Sequence, residues 1–201
     1  MGNLYLSNAV TAQGTAKFFK VNSKVDVYEG KETGYVANVY FSEAVTKTMV
    51  ADISKAIADA KESKEFTNAK TGKPVNWRTN PRVPYKTDDD GKVFFVFKKS
   101  HLDKDGNRQY IPMFDSQNKP MKNDVTIGND SVVQISYTPN VYHKNEDVNG
   151  VKFFINAIRV IKLETFEGNP FGEAVIGGYV AQEDTPFGNE VAEESNDNIC
   201  F

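Results

Sequence analysis

The chain reads as a mainly β fold, a small closed or half-closed barrel of about six strands carrying one amphipathic helix. Three observations predict it. Short aromatic and β-branched runs recur between clusters of Gly, Pro and Asp, as strands do between tight turns. Only one segment keeps apolar residues at helical spacing. The 201 residues suffice for one domain with a sizeable core and a further segment of different composition.

The elements follow in order. Thr15–Val21 and Tyr35–Phe41 are aromatic, β-branched and bounded by Gly or polar clusters, which predicts two strands. Ser42 has the chemistry of a helix N-cap, and Glu43 suits the first turn. Val45, Met49, Ile53 and Ile57 then fall at i+4 spacing, predicting a helix from Glu43 to Lys64 laid over one side of a sheet. Residues Phe66 to Asp90 read as loop, because Gly72, Pro74, Pro81 and Pro84 interrupt regular elements. Lys92–Lys99 predicts a strand. The turn at Asp103–Gly106 should lead into Arg108–Phe114 as its hairpin partner, with Pro112 marking an edge or a bulge. Ser131–Tyr137 alternates, placing Val133, Ile135 and Tyr137 on one face. Val151–Leu163 is apolar on both sides, as a central strand would be, and its Val, Ile and Phe content favours strand over helix. The domain is expected to end near Tyr179, giving a folded part over 1–180 and a flexible segment over 181–201.

Charge is partitioned along the chain. From Leu163 onward there are nine acids and no Lys or Arg, whereas the first 162 residues hold all 24 basic residues against 18 of the 27 acids. A total of −3 therefore conceals a body at +6 and a last segment at −9. Such a segment has the character of an internal polyanion, able to occupy a groove built for phosphates, or of a solvated disordered terminus.

Composition excludes several classes. No run approaches the roughly 20 apolar residues of a membrane helix, and no signal-peptide pattern is evident. One cysteine, Cys200, leaves no internal disulfide and fits a reducing cytoplasm; with His101 and His143 it falls short of a structural zinc set. No cofactor is expected. Motifs for nucleophilic hydrolysis, phosphate loops or zinc proteases are missing. Asp88-Asp89-Asp90 before Gly91 has the composition of a hairpin turn, with divalent-metal binding the alternative.

The positive signal is the interleaving of basic and aromatic residues on the strands. Lys17-Phe18-Phe19-Lys20, Phe94 to Lys99 and Lys152-Phe153-Phe154 share it, and the loop before them adds Trp77, Arg78 and Arg82. A single strand of nucleic acid offers unstacked bases and phosphates together. An aromatic ring takes the base, at about 1–3 kcal/mol each, and a neighbouring lysine takes the phosphate. Strand alternation sends Val93, Phe95, Phe97 and Lys99 to one face and Lys92, Phe94, Val96 and Lys98 to the other. The first set is the core candidate, so Phe94 and Lys98 are the groove candidates. A carbohydrate-binding or structural interaction module of the same architecture is the competing class, since aromatic platforms also bind sugars.

A specific block occupies the second half: Asp115-Ser116, Lys119-Pro120-Met121, Asp124 to Ser131, then Val133 to Pro139, continuing through Tyr142, Gly150-Val151-Lys152 and Val160 to Leu163. With Gly14-Thr15-Ala16 early, Gly178 to Ala181 late and an acidic ending in Phe201, the chain resembles the bacteriophage single-stranded DNA-binding proteins of the T-seven type. That resemblance implies an OB-fold-like five- to six-stranded barrel with one inserted amphipathic helix and a disordered acidic tail. It implies sequence-independent binding of single-stranded DNA without catalysis, in phage replication, recombination and annealing, in the cytoplasm of an infected bacterium. It further implies a homodimer, and a tail whose Glu193, Glu194, Asp197 and Phe201 compete with DNA and contact replication proteins such as DNA polymerase. Matched by position, Lys98, Lys99 and Tyr142 fall where basic and stacking residues are used. Lys17, Lys20, Trp77, Arg78, Arg82, Phe94, Lys152 and Phe154 complete the candidate DNA surface.

Overall fold

The computed structural model describes residues 2–165 except residue 69. Its strands in chain order are β1 (Gly2–Tyr5), β2 (Ala9–Val10), β3 (Gly14–Lys20), β4 (Asp26–Tyr28) and β5 (Lys31–Tyr40). After α1 (Glu43–Glu62) come β6 (Tyr85–Thr87), β7 (Val93–Lys99), β8 (Met113–Phe114), β9 (Val132–His143) and β10 (Asn149–Lys162). Five of them close a barrel. β3 pairs with β5, β5 with β7, β7 in parallel with β10, β10 with β9, and β9 back with β3. A single parallel contact inside an otherwise antiparallel closed barrel leaves no free edge among these five strands.

The barrel interior is filled from alternate positions. Phe95 and Phe97 of β7, Val133, Ile135 and Val141 of β9, and Val151, Phe153 and Ile155 of β10 are all buried. Phe97, Tyr137 and Phe153 meet with ring centroids 4.6 to 5.4 Å apart. Such pairs add about 0.5–1.5 kcal/mol each beyond their burial. The alternation read for β7 is thus the observed one. β10 is not uniformly apolar, since Lys152 is exposed between buried Val151 and Phe153.

Helix α1 is N-capped by Ser42, whose side chain accepts from the Val45 N–H, and ends at Glu62, two residues before the expected Lys64, with Ser63 as its C-cap. It buries Met49, Ile53 and Ala60, and Val45, Val50, Ala56 and Ile57 pack partly against the core. Met49 and Ile53 come down beside Tyr137, Pro139 and Phe153, so the helix lies against β9 and β10.

Two expectations are corrected. The hairpin partner of β7 is β6, across the Asp88–Gly91 turn, and not Arg108–Phe114. That later segment instead crosses to the buried side chain of Asn22. Asn22 Oδ1 accepts from the Ile111 N–H at 2.8 Å, and Asn22 Nδ2 donates to the Ile111 carbonyl at 2.9 Å. Only Met113–Phe114 forms a strand there, parallel to β10 and following Pro112, which has no N–H to give a ladder. The second correction is that β9 runs on through Pro139 to His143. A residue's N–H and C=O point to the same side of a strand, and the Pro139 carbonyl accepts from Leu6. Its donorless nitrogen therefore faces the gap between β1 and β2, where no ladder bond is lost.

The expected domain boundary near 180 and the tail residues Glu193, Glu194, Asp197 and Phe201 lie outside the described residues. Among the described residues, no helix is long and apolar enough to cross a membrane.

Candidate nucleic-acid interface

The outer faces of β7 and β10 form the floor of a groove, and a loop docked on β10 forms one wall. The groove has a volume of about 320 Å³; Lys98, Lys152, Arg82 and Lys86 stand around an apolar lining of Val96 on the floor and Val83 and Pro84 on the wall. Strand alternation supplies the lysines: Lys98 follows Phe97, and Lys152 precedes Phe153, the partner of Phe97 across the parallel contact.

Arg82 is held by backbone geometry. Its N–H donates to the Asn149 carbonyl at 2.9 Å, and its own carbonyl accepts from Val151 at 2.8 Å. The approach is close enough that a Cβ on Gly150 would lie 2.0 Å from the Arg82 carbonyl oxygen, and Gly150 has φ +145°. Only glycine meets both conditions.

Lys152 is the electrostatic centre. Its ammonium sits 4.4 Å from the centroid of the Tyr142 ring. Burial, followed by the charges of Lys98, Arg82 and Lys144, holds its pKa below the ordinary lysine value. Among the described residues none of these crowded cations is held in an ion pair, so a phosphate entering the groove relieves the repulsion. Tyr142 itself is only 7 % exposed. Its ring, covered by Lys152, serves to position that lysine and offers little open face for stacking. The rings within reach of the groove are the half-buried Phe154 and its exposed neighbour Tyr5, 6.2 Å apart between centroids with planes inclined by 31°. Tyr5 is 63 % exposed.

The structure therefore gathers Arg82, Lys98, Tyr142, Lys152 and Phe154 from the sequence-based set. Lys17 and Phe94 lie elsewhere, at a separate cavity between β3, β5 and β7. Trp77 packs edge-on against Phe66 and His143, and Arg78 donates to the Asp147 carbonyl at 3.3 Å; both face a cavity distinct from the groove. Lys20 is engaged with Asp26 at 2.6 Å, a contact that holds the Asp26 carboxyl below its usual range. Lys99 takes the opposite face of β7 from Lys98, and burial lowers its pKa. Asp88 is a turn residue: its Oδ1 accepts from the N–H groups of Asp90 and Lys92, at 3.1 and 2.8 Å.

Sequence reasoning missed Tyr5, Lys86 and Lys144. The alternation Leu4-Tyr5-Leu6, with both leucines packed toward the core, carries the signal for Tyr5. Lys86 was hidden by its proline-rich surroundings, which read as loop although residues 85–87 form β6.

No protein-family model matches the chain, and no curated protein does. Among solved structures, the crystal structure of gp2.5, a single-stranded DNA-binding protein encoded by bacteriophage T7, is similar over 88 % of this chain and 99 % of that one. The TM-score is 0.59 and the identity 23 %. A C-terminally truncated single-stranded DNA-binding protein from bacteriophage Enc34 is similar over 82 % of this chain and 87 % of that one, with TM-score 0.51 and identity 11 %. The fold is thus shared with phage single-stranded DNA-binding proteins, in agreement with the resemblance read from the sequence.

Proposed function

We propose that this protein binds single-stranded DNA without sequence preference and does so in the groove between Arg82, Lys98 and Lys152. The observation that carries the reading is the convergence of these cations on an apolar groove that ends at the rings of Phe154 and Tyr5. Cations at this spacing neutralise successive phosphates, and rings within reach accept whichever base arrives. A duplex keeps its bases stacked inside and offers such rings nothing, so the surface favours single strands. The shared fold supports the reading.

The biological setting follows from the same proposal: protection of single strands during phage DNA replication, recombination and annealing in the infected host's cytoplasm, as a homodimer. The acidic residues 181–201, ending in Phe201, act as a competitor for DNA and as the contact for replication proteins such as DNA polymerase. The charge partition supports this, because a segment of one sign and a body of the other attract at low salt.

Fluorescence anisotropy with a labelled ~30-nucleotide single strand and its duplex, across a salt series, tests the binding. Tighter binding of the single strand with a steep salt slope is expected. A flat salt response with affinity for oligosaccharides would identify a sugar-binding module instead. Stopping the chain at Ala181 should raise DNA affinity, most at low salt; unchanged affinity would remove the tail from the account.

A further inference from the structure

A second cavity, of about 260 Å³, opens on the outer surface where β3, β5 and β7 run side by side. Its making begins with a break in the ladder. β3 and β5 pair regularly through Lys17, and the register then shifts before Lys20. At this bulge Phe18 adopts φ +51°, a left-handed conformation that is an outlier for a bulky side chain. The Phe18 N–H donates to Asn129 Oδ1 at 2.8 Å, so the conformation is held by a side chain from a remote part of the chain. The consequence is directional. Phe19 enters the core, while the consecutive residues Lys17 and Phe18 both face the cavity, which an unbroken strand forbids. Phe18 is left 63 % exposed.

The remaining wall is aromatic and fixed. Tyr40 and Phe94 lie across the β5–β7 pair with centroids 5.5 Å apart. The Tyr40 hydroxyl donates to Asp88 Oδ2 at 2.8 Å, which pins the ring. Burial and that carboxylate push the Tyr40 pKa up to about 12, so it remains a donor throughout the working range. The Lys17 ammonium stands 5.7 Å from the centroid of Phe18 and 5.5 Å from that of Tyr40. Three carboxylates, Asp88, Asp89 and Asp90, line one side and oppose phosphate there, leaving Lys17 as the one cation among the described residues of the lining and the place for a phosphate on the opposite side.

A strained residue that displays an aromatic ring to water, against its own burial preference, requires a reason. Here the ring completes a three-sided aromatic cage with one lysine. We infer that Phe18, Tyr40 and Phe94 form a second subsite that takes one nucleobase of a bound single strand, with the adjoining phosphate on Lys17. This rests on the single-strand reading of the groove. The two places are continuous: Phe94, Val96 and Lys98 share one face of β7, so the cage and the groove lie about 13 Å apart along that strand. A dinucleotide is too short to span that distance and fills one place alone, whereas a longer strand reaches both.

The test compares a ~2-nucleotide and a ~20-nucleotide single strand on the full chain, for Phe18→Ala, Phe94→Ala and Phe154→Ala, each checked by circular dichroism. Loss of one stacked base corresponds to roughly a 5- to 150-fold weakening. The cage predicts that loss for the long strand alone in Phe18→Ala and Phe94→Ala, and for both strands in Phe154→Ala. Phe18→Tyr restores long-strand binding. Photo-cross-linking of a strand carrying 5-iododeoxyuridine to the unmutated protein gives an independent readout, with adducts expected on Phe18 or Tyr40. Undiminished long-strand affinity in both cage variants, with no adduct in the cage, overturns the subsite; the groove survives if Phe154→Ala still weakens both strands. If Phe154→Ala also changes nothing and the unmutated protein prefers neither strand to duplex, the single-strand reading falls with it.

Discussion

Lys152 concentrates the chemistry of the groove in one side chain. It is partly desolvated, lies over the Tyr142 ring and faces Lys98, Arg82 and Lys144. Its lowered pKa fixes the sign of a pH effect. The free protein disfavours the charged form, and a bound phosphate favours it, so at alkaline pH near that lowered pKa binding takes up a proton. Affinity for single strands is then fully developed at neutral pH and declines as alkaline pH passes through the depressed Lys152 pKa. Lys152→Arg, which cannot lose its proton in this range, should keep affinity flat over the same alkaline interval. Anisotropy titrations at several alkaline pH values check this, and identical profiles for both proteins would contradict it. Tyr142 illustrates what sequence could not give at this scale. Its type and position suit stacking, but its near-complete burial beneath Lys152 depends on the register of β9 against β10, where it pairs with Gly150.

At the scale of elements, the groove depends on one close approach. Gly150 allows the Arg82 segment to bond to β10 on both sides, through Asn149 and Val151. Gly150→Ala places a Cβ against the Arg82 carbonyl and should cost more than about 1 kcal/mol in urea-unfolding stability. It should also weaken DNA binding, because Arg82 and the Pro84 wall move away together. A variant with unchanged stability and affinity would show that the loop docks without that glycine. Phe97→Ala tests the barrel interior instead; loss of about 3–5 kcal/mol is expected from a fully buried ring shared with Tyr137 and Phe153. Strands and helix were legible in the sequence because their periodicities are local. The alternation over residues 93–99 and the i+4 stripe from Val45 to Ile57 state their own faces. Partner choice was not legible. That the proline-rich stretch before the Asp88–Gly91 turn supplies β6 as the local partner of β7 was masked by its prolines, and that Ile111 closes on the Asn22 side chain depends on a contact 89 positions apart.

For the whole molecule, the governing feature is the closed barrel that turns alternate residues of several strands outward as one continuous face. Two aromatic and cationic places share it, the groove at Lys98 and Lys152 and the cage at Phe18 and Tyr40. Interleaved Lys and Phe announced this surface in the sequence, yet the bulge that rotates Phe18 outward left no sign there, since Lys17-Phe18-Phe19-Lys20 reads as ordinary alternation. The charge partition between the first 162 residues and the rest belongs to this scale too, as a property of sequence that complements the cationic face. The most direct test is the salt slope of single-strand binding for the unmutated protein and for a variant with Arg82→Ala, Lys98→Ala and Lys152→Ala combined. Each phosphate contact contributes about 0.7 to the slope of log affinity against log salt on a single strand. The account predicts that the slope of the folded triple variant falls by about 2, with affinity reduced at every salt concentration. An unchanged slope in a folded triple variant would place the phosphate contacts elsewhere on the molecule.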